Sequence, residues 1–450
     1  MLEASNLHIK SITPVFAIIL VFSLCVLEQN AFADQMVATI LFGNQLPFGV
    51  GVNPTTNKIY VSSPDGVFTS SCCQPNNKVL VIDGSTDNIL GNVTVGYESL
   101  YVGVNPTTNK IYVPGLDDSC ISCNSNSSIY VINGATDTVV NKIGASGRLI
   151  GVAVNPITDK IYIGDSKGHN VYEIDGVTDT VVNTIPIGGE PLGIAVNPAT
   201  NKIYVVLSTI NEIAVIDGST NDVTGTIPVG DVPTNVAINQ NTNKIYVANY
   251  GSSSCSDVYC PDPSSIGHTV SVIDGSTNDV TGTIQVGDGP YDIVINPSTN
   301  KVYVTNHFDS TVSVIDGNTN VVVNTVSVGS RPEGIDTNPI TDKTYVANHG
   351  RCCPPNPISV SVISDSPIPS QILETQDIVN IINNMTLTQG TTKSLDVKLD
   401  ATISYLNTND TYDAKNVLQS FISEVNAQTG KHITQEQANQ LVVEARNIIK

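Results

Sequence analysis

The nine residues Asn53-Pro-Thr-Thr-Asn-Lys-Ile-Tyr-Val61 recur letter for letter at Asn105–Val113, 52 positions further along the chain. Aligning on the leading asparagine gives seven units, at Asn53, Asn105, Asn155, Asn197, Asn239, Asn296 and Asn338, with Gln240 in place of Pro in the fifth. The spacings of 52, 50, 42, 42, 57 and 42 define a ground period of 42 residues and insertions of 10, 8 and 15 in three units. Periods near this length belong to blades of four strands. In the insertion-free unit Gly193–Gly230, strand A is Gly193–Val196 and an Asn-Pro turn follows, with Pro presetting φ and Asn tolerating the left-handed region. Strand B is Ile203–Val206, strand C is Glu212–Ile216, a turn runs through Asp217–Asn221, and strand D is Val223–Val229.

The two ends of the repeat region separate a closed propeller from an open solenoid. Unit seven has strands A (Gly334–Thr337), B (Lys343–Val346) and C (Val360–Ile363), but Ser364-Asp-Ser-Pro-Ile-Pro369 follows where strand D should be. The missing strand is at the other terminus, where Val37–Gly43 reads as a strand D with nothing before it. A ring closed by that N-terminal strand accounts for both irregularities, whereas a solenoid leaves two bare edges. The expected fold class is an all-β seven-bladed propeller followed by a small all-α bundle.

Tyr303-Val-Thr-Asn306, Tyr246-Val-Ala-Asn249 and Tyr345-Val-Ala-Asn348 resemble the repeat of YVTN-type propellers, which occur in archaeal surface-layer proteins and secreted bacterial relatives. The resemblance spans roughly residues 37–363 and implies the fold; propellers carry unrelated activities, so it names no activity.

At 450 residues and 40% apolar content the chain can bury a real core, and many short strands suit the abundant Gly, Pro, Asn and Thr. A net charge of −21 sets a nucleic-acid groove or an anionic membrane surface against the field of the whole molecule. Residues 1–33 have the order of a secretory signal peptide: Lys10, an apolar run Val15–Leu27, then Ala31-Phe-Ala33 ahead of Asp34. The run is short for a membrane span, and the expected mature chain has no transmembrane anchor. Eight cysteines remain, as Cys72-Cys73, Cys120 and Cys123, Cys255 and Cys260, and Cys352-Cys353, in a compartment that permits disulfides.

In such a blade the A–B and C–D turns lie on one face of the disc, and the B–C and D–A loops on the other. The repeated NPTTNK is an A–B turn, alike in its copies because each solves the same local geometry, so function is sought on the opposite face. All insertions fall in B–C loops, at 64–77, 114–127 and 250–267, together with every mature cysteine and His169, His268, His307 and His349. The expected chemistry there is disulfide formation, with at least one bridge joining Cys72 or Cys73 to Cys352 or Cys353 across the ring closure, since adjacent cysteines rarely bridge each other. The sharper alternative is a soft metal, copper or zinc, held by His349, Cys352 and Cys353.

The D–A loops and strand A starts converge on the axis of that face. They carry Glu98, Tyr101, Arg148, Glu190, Asn235, Asp288, Tyr291, Asp292, Arg331, Glu333 and Asp336, the candidate ligand-binding residues at the channel mouth. Carboxylates with Asn at such a mouth can hold calcium and polarise a lactone or ester, whereas a solvated acidic rim carries the same residues without chemistry. No nucleotide loop is present, and no catalytic residue is assigned.

A Pro-rich hinge at 364–370 leads to residues 371–450, whose apolar spacing turns helical. Helices are expected over Ile372–Asn384, Thr391–Leu406, Ala414–Ala427 and Thr434–Ile449, with Thr434-x-x-Gln437 as a start signal and Gly430 as a stop. Phe421-Ile-Ser-Glu-Val425, Gly430-Lys431 and Gln437-Ala438 resemble the helical module called FIMAH at the ends of exported proteins, which implies an accessory or docking role. Asn92, Asn126, Asn384 and Asn409 head glycosylation triplets. The sequence reads as a secreted or cell-surface propeller acting as a binding or structural module through its B–C and D–A loop face, with a cell-envelope protein or glycan as partner; the alternative is a calcium-dependent lactone or ester hydrolase or a copper- or zinc-binding protein using the same face.

Overall fold

The structure is a computed structural model. It describes residues 34–42, 45–64, 77–117, 126–251, 266–350 and 358–364 of the repeat region, and 378, 381–382, 385, 387, 389–407 and 411–449 beyond it. The leader, the hinge after Ser364, all eight mature cysteines, Asn384 and Asn409 lie outside these residues.

Seven four-stranded antiparallel sheets follow one another around a ring. Six are continuous in sequence, from Val50–Asn53, Lys58–Ser63, Lys78–Asp83 and Ile89–Thr94 in blade one to blade six ending at Val321–Ser327. Blade seven takes its first three strands from Pro332–Asn338, Lys343–Asn348 and Ser359–Ser364 and its outer strand from Gln35–Leu41, so the N-terminal strand closes the disc as its sequence predicts. Its register runs from Gln35 opposite Ser364 to Leu41 opposite Ser359, with one bulge between Met36 and Ala38. Inserted loops are shorter than their sequence limits, because flanking strands extend into them: blade two's B strand continues to Leu116, and blade five's C strand begins at Ile266 and takes in His268.

One apolar cluster fills each interface between blades. Between blades seven and one, Ile40, Tyr345 and Val360 meet Val50, Ile59 and Leu80; between blades four and five, Tyr204 and Ile213 meet Ile245 and Val247. This explains the Ile-Tyr-Val of the motif: the strand B tyrosine of every blade is fully buried against the next blade, while its neighbours pack behind it. Outer strands face solvent along most of their length.

The remaining letters of the motif build the ring on one face. Asn53 accepts from the Thr55 N–H, shaping the turn, and its amide donates to Asn109 of the next blade at 2.7 Å. The same donation runs Asn105 to Asp159, Asn155 to Asn201, Asn197 to Asn243, Asn239 to Asn300 and Asn296 to Asp342, and Asn338 returns it to Asn57 at 2.6 Å. The accepting residues sit at positive φ, near +50°, where Asn and Asp are the tolerated side chains. In five blades the Lys and Tyr form a second link. Lys58 Nζ lies 2.7 Å and the Tyr60 hydroxyl 2.9 Å from the Asp137 carboxylate on the next blade's C–D turn, and Lys343 and Tyr345 repeat this with Asp87 of blade one.

Blade six finds no such turn in blade seven, whose outer strand comes from elsewhere. Asp34 supplies the acceptor: Lys301 Nζ lies 2.8 Å and the Tyr303 hydroxyl 3.0 Å from Asp34 Oδ1, and Asn324 donates to its backbone carbonyl at 2.6 Å. Asp34 is buried, so its removal takes a carboxylate acceptor from Lys301 and Tyr303 inside the fold. Asp34→Ala is expected to cost about 3 kcal/mol in urea unfolding, and Asp34→Asn about half of that, because the amide oxygen still accepts.

The C-terminal unit, within Ser366–Lys450, packs helices Gln389–Asn407, Thr411–Gln428 and Gln435–Ile449 around Leu395, Leu399, Leu418, Phe421, Val425 and Leu441. Ile378 and Ile382 join that core from helical positions in the expected first helix. The start signal is a capping box: Gln437 N–H donates to Thr434 Oγ1 at 3.2 Å and the Gln437 side chain accepts from Thr434 N–H at 2.9 Å. Gly430 has φ +78°, the left-handed stop. Among the described residues no helix is long and apolar enough to cross a membrane.

Candidate functional site

Strand A of every blade lines the axis, and the position four residues before the motif asparagine decides how closely neighbours approach. Where it is Gly151, with φ +68°, a Cβ would lie 2.1 Å from the Leu192 carbonyl oxygen of the next blade. In five blades the A–B pairing is interrupted around this position, a bulge that re-aims the strand where it meets the axis. Three blades carry Tyr101, Asn235 and Asp292 there, and their side chains enter the axial cavity.

That cavity has a volume of about 310 Å³ and is lined by strand A residues of all seven blades, among them Asn235, Asp292 and Asp336. The two carboxylates tie neighbouring blades together. Asp292 accepts from the Asn235 side chain of blade five, from Ile335 N–H of blade seven at 3.0 Å and from Ile293 N–H at 2.7 Å. Asp336 accepts from Val52 N–H of blade one at 2.7 Å and from Thr337 N–H at 2.8 Å. Burial pushes both carboxyls up to about 7, against the pull of these N–H donors. A raised carboxyl holds its proton more tightly folded than unfolded, so between about pH 4 and pH 7 stability falls as pH rises. Asp292→Asn with Asp336→Asn is expected to flatten this slope, by at least about 1 kcal/mol between pH 5 and pH 7.5, read from urea midpoints.

A second cavity, about 230 Å³, opens above the first on the loop face. Phe48, Tyr101 and Tyr291 border both, so the aromatic layer separates channel from mouth. Phe48 stands edge-to-face with Tyr101 and with Tyr291, each at 6.1 Å between centroids. Arg148, Glu190, His349, Leu46, Ile150 and Leu192 complete much of the wall. Arg148 Nε lies 3.6 Å from the buried Glu98 carboxylate. The Glu190 carboxylate has no hydrogen-bond or ion-pair partner among the described residues, and neither do the Tyr101 and Tyr291 hydroxyls. Burial raises both phenols well above their ordinary range, so they stay neutral.

The structure thus gathers Tyr101, Arg148, Glu190 and Tyr291 at the mouth with Glu98 behind Arg148, and places Asn235, Asp292 and Asp336 in the channel below. Glu333 is buried, with Oε1 3.7 Å from His307 Nδ1, in an aromatic group with Tyr250, Tyr291 and Phe308. Burial, then Arg331 and His349, depress the His307 imidazole to about 3, which keeps it neutral. Asp288 and Arg331 are not among the residues lining these two cavities: Asp288 is exposed, with its N–H bonded to Asp309, and Arg331 offers its backbone carbonyl to His349 N–H. Phe48 and Leu46 escape the sequence reading because they follow a strand displaced from its blade. Of the glycosylation triplets, Asn92 is exposed on blade one's outer strand and Asn126 is exposed beside blade two's insertion. Among the described residues no three of His, Cys, Asp and Glu come together as a metal site; Cys352 and Cys353 lie outside those residues.

No protein-family model and no curated protein matches the chain. Among solved structures, a chain of Kuenenia stuttgartiensis hydrazine synthase is similar, with a TM-score of 0.59 and 16% identity over 72% of this chain and 97% of that one. At that identity the likeness is one of fold.

Proposed function

We propose that the chain is an exported propeller of the YVTN type that acts as a binding module through its B–C and D–A loop face, at the cell surface or outside the cell. Its partner is a protein or glycan of the cell envelope, and the C-terminal helices, similar to FIMAH, are an accessory docking element. One observation carries the reading: the two faces are built differently. On the motif face the repeated Asn side chains of all seven blades, and the Lys and Tyr of five of them, are engaged in bonds between blades, whereas residues of six blades converge on an open cavity on the other face. Export rests on the leader, and the eight cysteines of the B–C loops fit it as disulfides, with one bridge across the ring closure.

The test is binding of the full chain to isolated envelope material. Arg148→Ala with Glu190→Ala is expected to reduce binding at least about tenfold. Ile157→Lys and Val177→Lys, exposed by 72% and 79% on the motif-face turns, are expected to leave it unchanged. Loss of binding in the second pair alone contradicts the reading. Stoichiometric calcium, copper or zinc with turnover of lactones or esters selects the hydrolase or metal-binding alternative in its place.

A further inference from the structure

We propose that the mouth cavity receives an organic ammonium group, the side chain of a lysine on a protein partner, with Phe48, Tyr101 and Tyr291 as aromatic wall and Glu190 as counter-charge. The proposal rests on the binding reading above and names the chemistry it would take.

Charge is the first argument. Arg148 and Glu98 neutralise each other at 3.6 Å, and Glu98 is buried, so this pair is committed within the wall. Glu190 remains, half-buried and without a partner among the described residues. Among the described carboxylates of the wall, Glu190 is therefore the one left without a partner, inside a molecule of net charge −21 whose field draws cations inward and opposes anions. An anionic ligand would have to take Arg148 from Glu98 and sit beside Glu190.

The wall is the second argument. Phe48 stands at 75° to Tyr101 and 83° to Tyr291, and all three rings line the enclosed space. Ring faces attract ammonium groups, most strongly where water is excluded. The unpartnered phenol oxygens add acceptors for N–H donors.

Size and apolar lining select the carrier. A dry cavity of about 150 Å³ accepts benzene, so one of 230 Å³ has room for an ammonium head and several methylenes. Leu46, Ile150 and Leu192 offer apolar surface to such a stem, which a lysine side chain has and the hydroxyl-rich ring of an amino sugar lacks.

The experiment titrates the full chain with Nα-acetyl-lysine methylamide, its Nε-acetylated neutral counterpart, Nα-acetyl-glutamate methylamide and glucosamine, followed by ligand-observed NMR. The lysine probe is expected to bind, the Nε-acetylated probe to bind at least about tenfold more weakly, and Glu190→Gln to weaken the lysine probe by a similar factor with an unchanged circular dichroism spectrum. Equal binding of the neutral probe, tighter binding of the glutamate probe, preference for glucosamine, or no lysine binding at tens of millimolar each overturns the proposal. If envelope material binds through this face but the lysine probe does not compete, the ammonium assignment fails and the binding reading stands. If the lysine probe binds and envelope material does not, the binding reading fails alone.

Discussion

A chain lacking residues 34–42 is expected to lose the cooperative fold of its propeller. The outer strand Gln35–Leu41 pairs along the whole of Ser359–Ser364, and Ile40, Phe42 and Leu46 are buried in the cluster that joins blades seven and one. Removing Ile40 and Phe42 loses about 1.5–3 kcal/mol for each side chain and uncovers the apolar residues they shield. Loss of Asp34 removes an acceptor of Lys301 and Tyr303 of blade six as well. Against a total stability of about 5–15 kcal/mol, the combined loss takes most of the margin. Urea unfolding followed by far-ultraviolet circular dichroism should show no cooperative transition, or a midpoint near zero. An unchanged midpoint would mean that the strand is an ornament on an open array.

The second large effect is expected at the axis. Gly334 donates its N–H to the Phe48 carbonyl at 2.9 Å, and a Cβ built on it would lie 2.0 Å from that oxygen and 2.9 Å from Gly49 Cα. Both obstacles are backbone atoms of the next blade, so no side chain can swing aside, and the blades must part where the ring closes. Gly334→Val should cost at least about 3 kcal/mol. Gly225→Ala, on an outer strand where an added Cβ meets nothing within 4 Å, serves as the control and should stay near neutral. Because Phe48 also borders the mouth, Gly334→Val should in addition weaken ligand binding in whatever protein remains folded.

Much of this architecture is legible because it repeats. An Asn-Pro turn is a local solution, and seven copies of it betray both the period and the strand order; the missing last strand and the orphan first one complete the ring by simple arithmetic. Strand limits are less legible. Strand A of blade four begins at Pro191, two residues before the Gly193 read from sequence, since the bulge near the glycine breaks the alternation. The reason for the repeated Asn and Lys is hidden for a different cause: their partners are the next blade's turns, as far as 79 residues away for Lys58 and 281 for Asn338. At the site, Tyr101, Arg148, Glu190 and Tyr291 follow from loop position alone. Phe48 does not, because it sits after a strand whose blade is three hundred residues distant, and the pairing of His307 with Glu333 crosses between blades.

The closed ring is the premise on which the single mouth depends, and amide hydrogen exchange of the intact protein tests it most directly. If residues 35–41 complete blade seven, their inward-pointing amides and those of 359–364 exchange slowly and open together in one cooperative step. Exchange of 35–41 at the rate of an unstructured peptide, with 343–348 and 359–364 still protected, would contradict the account.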